Sequence, residues 1–207
     1  MQIKSNMEQA EIFVFIASFF LIALGFTESN KPQQEAKPHD KPPIIELYET
    51  SEYKFDSGRA ELKPDFKKYI RGELRPEILR ITKEYPIDVI EVIGHTDGQP
   101  ITGVNSPTEN NYSNLDYSLE KVNLGKLPVA QLRPGSNTDL GIMRALAVVQ
   151  ELKKSGGEIA KLKFRTYSAG QLLLENGLPA DIDKRGNSKR RRIEIRFTKL
   201  GKTEKVQ

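Results

Sequence analysis

Apolar and polar positions along this 207-residue chain change rhythm several times, and each rhythm predicts a different element. From Ile12 to Phe26, IFVFIASFFLIALGF, no residue is charged. Asn30 to Pro43, NKPQQEAKPHDKPP, then has four prolines and no large apolar residue. That composition predicts a semi-extended tether outside any packed core. From Ile44 the pattern turns globular.

YKFDSGRAELKP, beginning at Tyr53, reads as a strand that ends in a turn. Pro64 then opens a helix whose stripe is Phe66, Ile70, Leu74, Ile78 and Ile81, with Pro76 set to kink or split it. Ile87 to Asp97, IDVIEVIGHTD, is β-branched and nearly continuous in apolar residues. It predicts a central strand covered on both faces, with His95, Thr96 and Asp97 at its C-terminal end. Gly98 to Ser136 reads as irregular, apart from a short amphipathic piece at LDYSLEKV. The clearest helix follows: Ser136 to Asp139 offer N-caps, Ile142, Leu146, Val149 and Leu152 form its stripe, and Gly156-Gly157 end it. KLKFRTYSAG is a third strand. RRRIEIRFT is a fourth, whose alternation puts Arg191, Ile193, Ile195 and Phe197 on one face. The predicted class is α+β, in the order β-α-β-α-β-β without internal repeat.

Composition narrows the chemistry. The absence of cysteine removes disulfides, thiolate metal sites, cysteine nucleophiles and lipidated cysteines. Of the two histidines, His39 falls in the tether and His95 has no second histidine or cysteine at ligand spacing, so neither metal nor triad chemistry is expected. His95 reads as a structural residue ending its strand and lining whatever site lies there. The net charge of +4 is uneven, because residues 184–205 hold ten Lys or Arg against Glu194 and Glu204. That cluster sits on and beside a predicted core strand without interleaved aromatics, so nucleic acid is not an expected partner.

Three readings compete for the apolar run. As a helix its fifteen residues cover roughly 22 Å at ~1.5 Å per residue, short of a ~30 Å hydrocarbon core. A buried core helix fits poorly with an all-round apolar surface and a polar sequel. A cleaved signal peptide, with Ala23-Leu24-Gly25 at the cleavage site, fits the length but not the leading MQIKSNMEQAE, which carries one Lys and two Glu. The favoured reading is an uncleaved transmembrane helix over residues 7–27. It places Glu8 and Glu11 at or inside one membrane face, where carboxylates are rare and usually functional.

Three spaced patterns carry a family resemblance: FDSGRAEL (Phe55 to Leu62), GHTD (Gly94 to Asp97) and NTDLGIMRA (Asn137 to Ala145). Together with the closing RRRIEI (Arg190 to Ile195) they resemble the OmpA-like peptidoglycan-binding domain shared by OmpA, Pal and MotB. The match spans roughly Tyr53 to Phe197. On this reading residues 1–29 are a cytoplasmic stub and span, 30–43 the tether, 44–200 the OmpA-like periplasmic domain and 201–207 a basic tail. The resemblance implies a ligand, the diaminopimelate side chain of peptidoglycan, whose end carries an ammonium and a carboxylate on one carbon. It further implies that Asp97 accepts from the ammonium, that Arg144 clamps the carboxylate, and that Asn137 and Thr96 add neutral hydrogen bonds, with Leu140 packing. Each residue has a plainer reading beside this one: Asp97-Gly98 is good turn chemistry, Asn137 a good helix cap, Arg144 an ordinary solvated helix residue. Two features depart from the pattern. Gly141 stands where the family usually has Ser, and the 98–136 insertion puts 39 residues between Asp97 and Asn137.

An OmpA-like domain behind a single N-terminal span is similar to MotB among ion-driven stators, and Ala10-Glu11-Ile12-Phe13 has the layout of its proton-carrying segment. The likeness implies Glu11 as candidate ion carrier, in a flagellar-like or Zorya-type defence motor. A passive envelope anchor without ion coupling is the alternative. The likeness to MotB also implies a single-pass inner-membrane location, a multi-span MotA/ExbB-like partner and a homodimer, with no enzymatic activity and no cofactor.

Overall fold

The computed structural model describes residues 41–50, 53–101 and 112–205. The expected span at 7–27, Glu11 and most of the tether lie outside the described residues. Among the described residues no helix is long and apolar enough to cross a membrane.

Strands β1 (Ile45–Tyr48), β2 (Val89–His95), β3 (Phe164–Gly170) and β4 (Arg192–Thr198) form one sheet in the order β1-β4-β2-β3. β4 runs antiparallel to β1 and β2, while β2 and β3 are parallel. A parallel pair needs a long crossover, and the helical segment between β2 and β3 supplies it. Register puts Ile90, Val92 and Gly94 of β2 opposite Phe197, Ile195 and Ile193 of β4. On this face the core continues into the helices through Ile70, Leu74, Ile78, Ile81, Leu146 and Leu152.

The first helical stretch is α1 (Pro64–Tyr69), a π-helical turn Ile70–Leu74 and α2 (Arg75–Glu84). Pro76 accounts for the π turn: it has no N–H to give, and its ring would strike the carbonyl four residues back. Widening the preceding turn, with Arg75 N donating to Ile70 O, moves that carbonyl aside and keeps the stripe facing the core. α3 (Leu115–Asn123) precedes a 3₁₀ turn (Val129–Gln131), the long helix α4 (Asn137–Lys154) and the one-turn α5 (Glu158–Lys161).

Three elements differ from expectation. The first strand is Ile45–Tyr48, and residues 53–63 are not a strand. Tyr53 packs tilted and Phe55 edge-on against Phe66 of α1, with ring centroids 5.9 and 5.5 Å apart, and the chain turns where Arg59 N donates to Asp56 O at 3.0 Å. Their alternation serves helix contacts, not a strand face. β2 is central but not apolar on both sides, because its second face meets Glu194 and Arg196 of β4. The loop before β4 covers the upper end of that face, Arg192 Nη2 donating to Leu174 O at 3.0 Å. Finally, the described part of the insertion belongs to the core: Leu115, Val122, Val129 and Leu132 are buried. The Gln150 amide fastens it to α4 by donating to Val122 O and Leu127 O at 2.7 and 3.1 Å.

Candidate functional site

Everything at the site depends on how β2 ends. Between Gly94 and His95 the β2–β3 ladder slips by one residue, a bulge that Gly170 accommodates at a φ of +51°. Beyond it Thr96 N donates to Gly170 O at 2.8 Å, so Thr96 and Asp97 leave the sheet held by backbone. α4 starts directly opposite. Ser136 is its N-cap, accepting from Asp139 N at 3.2 Å. Asn137, in the first turn, donates its amide to Gln99 O and Asp97 O at 3.0 and 3.3 Å. The helix therefore starts tied to the loop after β2.

α4 crosses β2 at very close range. A Cβ at Gly94 would come within 1.9 Å of Gly141 O, and one at Gly141 within 2.2 Å of Ser168 Oγ. Glycine at 141 is what this contact requires, because Ser168 of β3 already fills the space a serine there would take.

Between these elements lies a cavity of about 340 Å³ whose walls include Thr96, Asp97, Asn137, Leu140 and Arg144. The structure thus brings together all four predicted binding residues, and Leu140 packs beside them. Arg144 is buried, at 4% exposure, and is not a solvated helix residue. Its Nε donates to Arg59 O at 3.1 Å and its Nη2 to Asp56 O at 3.3 Å, while the guanidinium lies 4.9 Å from the Phe55 ring centroid. Among the described residues no carboxylate pairs with it. Burial pulls its pKa down to about 10, against the opposing pull of Glu49 and Asp97.

Asp97 is buried too, but partnered. Its Oδ1 accepts from Gln99 N at 3.2 Å, and its Oδ2 from Asn187 N at 2.9 Å and Arg191 Nη1 at 2.5 Å. Arg191 also pairs through Nε with Glu49, and both line the cavity. Thr96 Oγ1 is buried and has no hydrogen-bond partner among the described residues. His95 turns to the other face of the sheet, its Nε2 3.0 Å from Glu194 Oε2.

Glu49 and Arg191 are the site residues that sequence reasoning did not single out. The alternation of RRRIEIRFT puts Arg191 on one face with Ile193, Ile195 and Phe197, and β4 begins one residue after it. The available signal was an arginine at a core-facing position of that alternation.

No family model matches this chain, and no curated protein matches it. Several solved structures are similar to it over most of their length. The periplasmic domain of Helicobacter pylori MotB is 20% identical, the alignment covering 78% of this chain and 79% of that one, with a TM-score of 0.47. The cell wall anchor of the T6SS from Pseudomonas aeruginosa is 19% identical over 75% and 81%, with a TM-score of 0.39. The OmpA-like domain of FopA1 from Francisella tularensis subsp. tularensis is 17% identical over 76% and 75%, at 0.36.

Proposed function

We propose that this chain is a non-enzymatic, membrane-anchored peptidoglycan-binding protein whose cavity holds the zwitterionic end of diaminopimelate. The supporting observation is Arg144: a buried guanidinium on a cavity wall, held by carbonyls and a ring face, with no described carboxylate partner. Buried charge without a counter-charge is costly, and a ligand carboxylate removes that cost. Asp97 lines the same cavity and is the carboxylate placed to receive the ammonium, its three present donors being Gln99 N, Asn187 N and Arg191 Nη1. Thr96 Oγ1 adds an unused polar group. With Glu49 and Arg191 counted, two acids and two bases among the described residues line the cavity, a balance suited to a ligand of no net charge.

The test is co-sedimentation of the full-length chain with purified peptidoglycan. Arg144→Ala and Asp97→Ala should each abolish it, since losing one partner of a buried charge-assisted contact costs ~2–5 kcal/mol. Circular dichroism checks that the variants remain folded. If both folded variants sediment normally, the assignment is wrong.

The remainder of the proposal rests on sequence. Residues 7–27 anchor the chain in the inner membrane with the domain in the periplasm. Glu11 carries a proton against a multi-span MotA/ExbB-like partner, in a homodimeric stator. The passive anchor, without ion coupling at Glu11, is the competing reading.

A further inference from the structure

Building on the peptidoglycan reading, we propose that Arg191 is a specificity residue that occupies Asp97 as an internal substitute for the ligand's ammonium, and that Glu49 is the carboxylate retaining Arg191 when the ligand displaces it.

The two guanidiniums of the cavity are held differently. Arg144 is fixed by Arg59 O, Asp56 O and the face of Phe55. Arg191 is held by side chains alone, Nη1 on Asp97 and Nε on Glu49, and its side chain is 27% exposed. It sits one residue before β4, so its side chain can turn without disturbing a ladder bond. Glu49 N donates to Arg191 O at 3.1 Å, which keeps the backbones of this acid and base together wherever the side chain points. Two of the three donors on Asp97 are backbone N–H groups and stay in place. The Arg191 contact is the one that can be exchanged.

An ammonium arriving at Asp97 therefore replaces a cation and does not fill an empty site. This exchange sets selectivity. A ligand bringing only a carboxylate satisfies Arg144 and leaves Arg191 on Asp97. One bringing only an ammonium must displace Arg191 without the Arg144 contact to offset it. A zwitterion does both at once.

The two partners of Arg191 give predictions of opposite sign. Arg191→Gln removes the competitor and leaves both Asp97 and Glu49 for the ammonium, so affinity should rise by roughly fivefold, the size of one partly exposed ion pair. Glu49→Gln leaves Asp97 as the one described carboxylate paired with Arg191, so displacement strands a cation and affinity should fall by a similar factor. A merely structural role for this pair would weaken binding in both variants.

The experiment is calorimetric titration of the full-length chain and both variants with free meso-diaminopimelate. Opposite shifts support the proposal. If the wild-type chain binds and the variants shift together or not at all, Arg191 is not a competitor and the cavity assignment stands without it. A wild-type chain that takes up no diaminopimelate ends the peptidoglycan reading and this inference with it. Should Arg191→Gln fail to fold, the wild-type Arg191 Nε–Hε resonance decides. It must shift as diaminopimelate is added, and a resonance that stays fixed overturns the exchange.

Discussion

His95 ends β2 buried, with Nε2 on Glu194 and Arg192 close by. Burial, assisted by the charge of Arg192, pushes its pKa below 6.5, and Glu194 pulls only partly the other way. The folded protein thus favours neutral imidazole, whereas the unfolded chain takes up a proton near pH 6.5. Stability is fully present above that pH and is lost as pH falls from it towards the lower folded value. Urea unfolding at a series of pH values should show this loss in the wild type and a flatter profile in His95→Gln. Legibility at this scale followed distance along the chain. Asp97, Arg144, Asn137 and Thr96 could be placed around one cavity because each sits in a short motif. Glu194, 99 positions from His95, could not, because their contact is created by the β2–β4 register. Arg191 was hidden by a one-residue offset in where β4 starts.

At the level of elements, the contact between α4 and β2 is the tightest constraint on the site. It sets where Asn137 and Arg144 stand relative to Asp97. Gly94→Ala would drive a Cβ into the backbone of Gly141, and we expect a loss of ~3 kcal/mol, the upper end for overpacking. Gly141→Ser meets both Ser168 Oγ at 2.2 Å and the backbone Gly94 O at 2.8 Å, so its cost of ~1–3 kcal/mol should be recovered only in part in the double variant Gly141→Ser/Ser168→Ala. Denaturant midpoints measure both, and a double variant no more stable than the single one would show that Ser168 is not the obstacle. The helices were legible because their stripes are long and strongly periodic. The π turn was not, since Pro76 marks a break without saying how the chain absorbs it. β1 was missed for a related reason: IELY is only four residues long, and the more regular alternation of Tyr53 and Phe55 belongs to side chains packed on a helix.

For the whole molecule, the proposed stator and the passive anchor part at Glu11. Glu11→Gln keeps shape and hydrogen bonding but cannot titrate, so in the stator it should abolish the cellular phenotype while membrane insertion and peptidoglycan sedimentation persist. Glu8→Gln, about one helical turn away, should be mild. A Glu11→Gln strain indistinguishable from wild type leaves the passive anchor. The topology of the sheet bears on how such a protein reaches its site. Among the described strands β1 pairs with β4 alone, and Ile45 pairs with Ile195 across 150 residues of sequence. β4 is also the inner strand joining β1 to β2, so a chain whose fourth strand has not yet emerged holds one β1 strand without a partner and a β2–β3 pair without its antiparallel half. Contacts so distant form slowly, since closing the loop comes before any reward from pairing. On the proposed route across the membrane this delay is useful. On that route the sheet would stay open while the domain is in transit and would close only once its fourth strand has arrived on the far side.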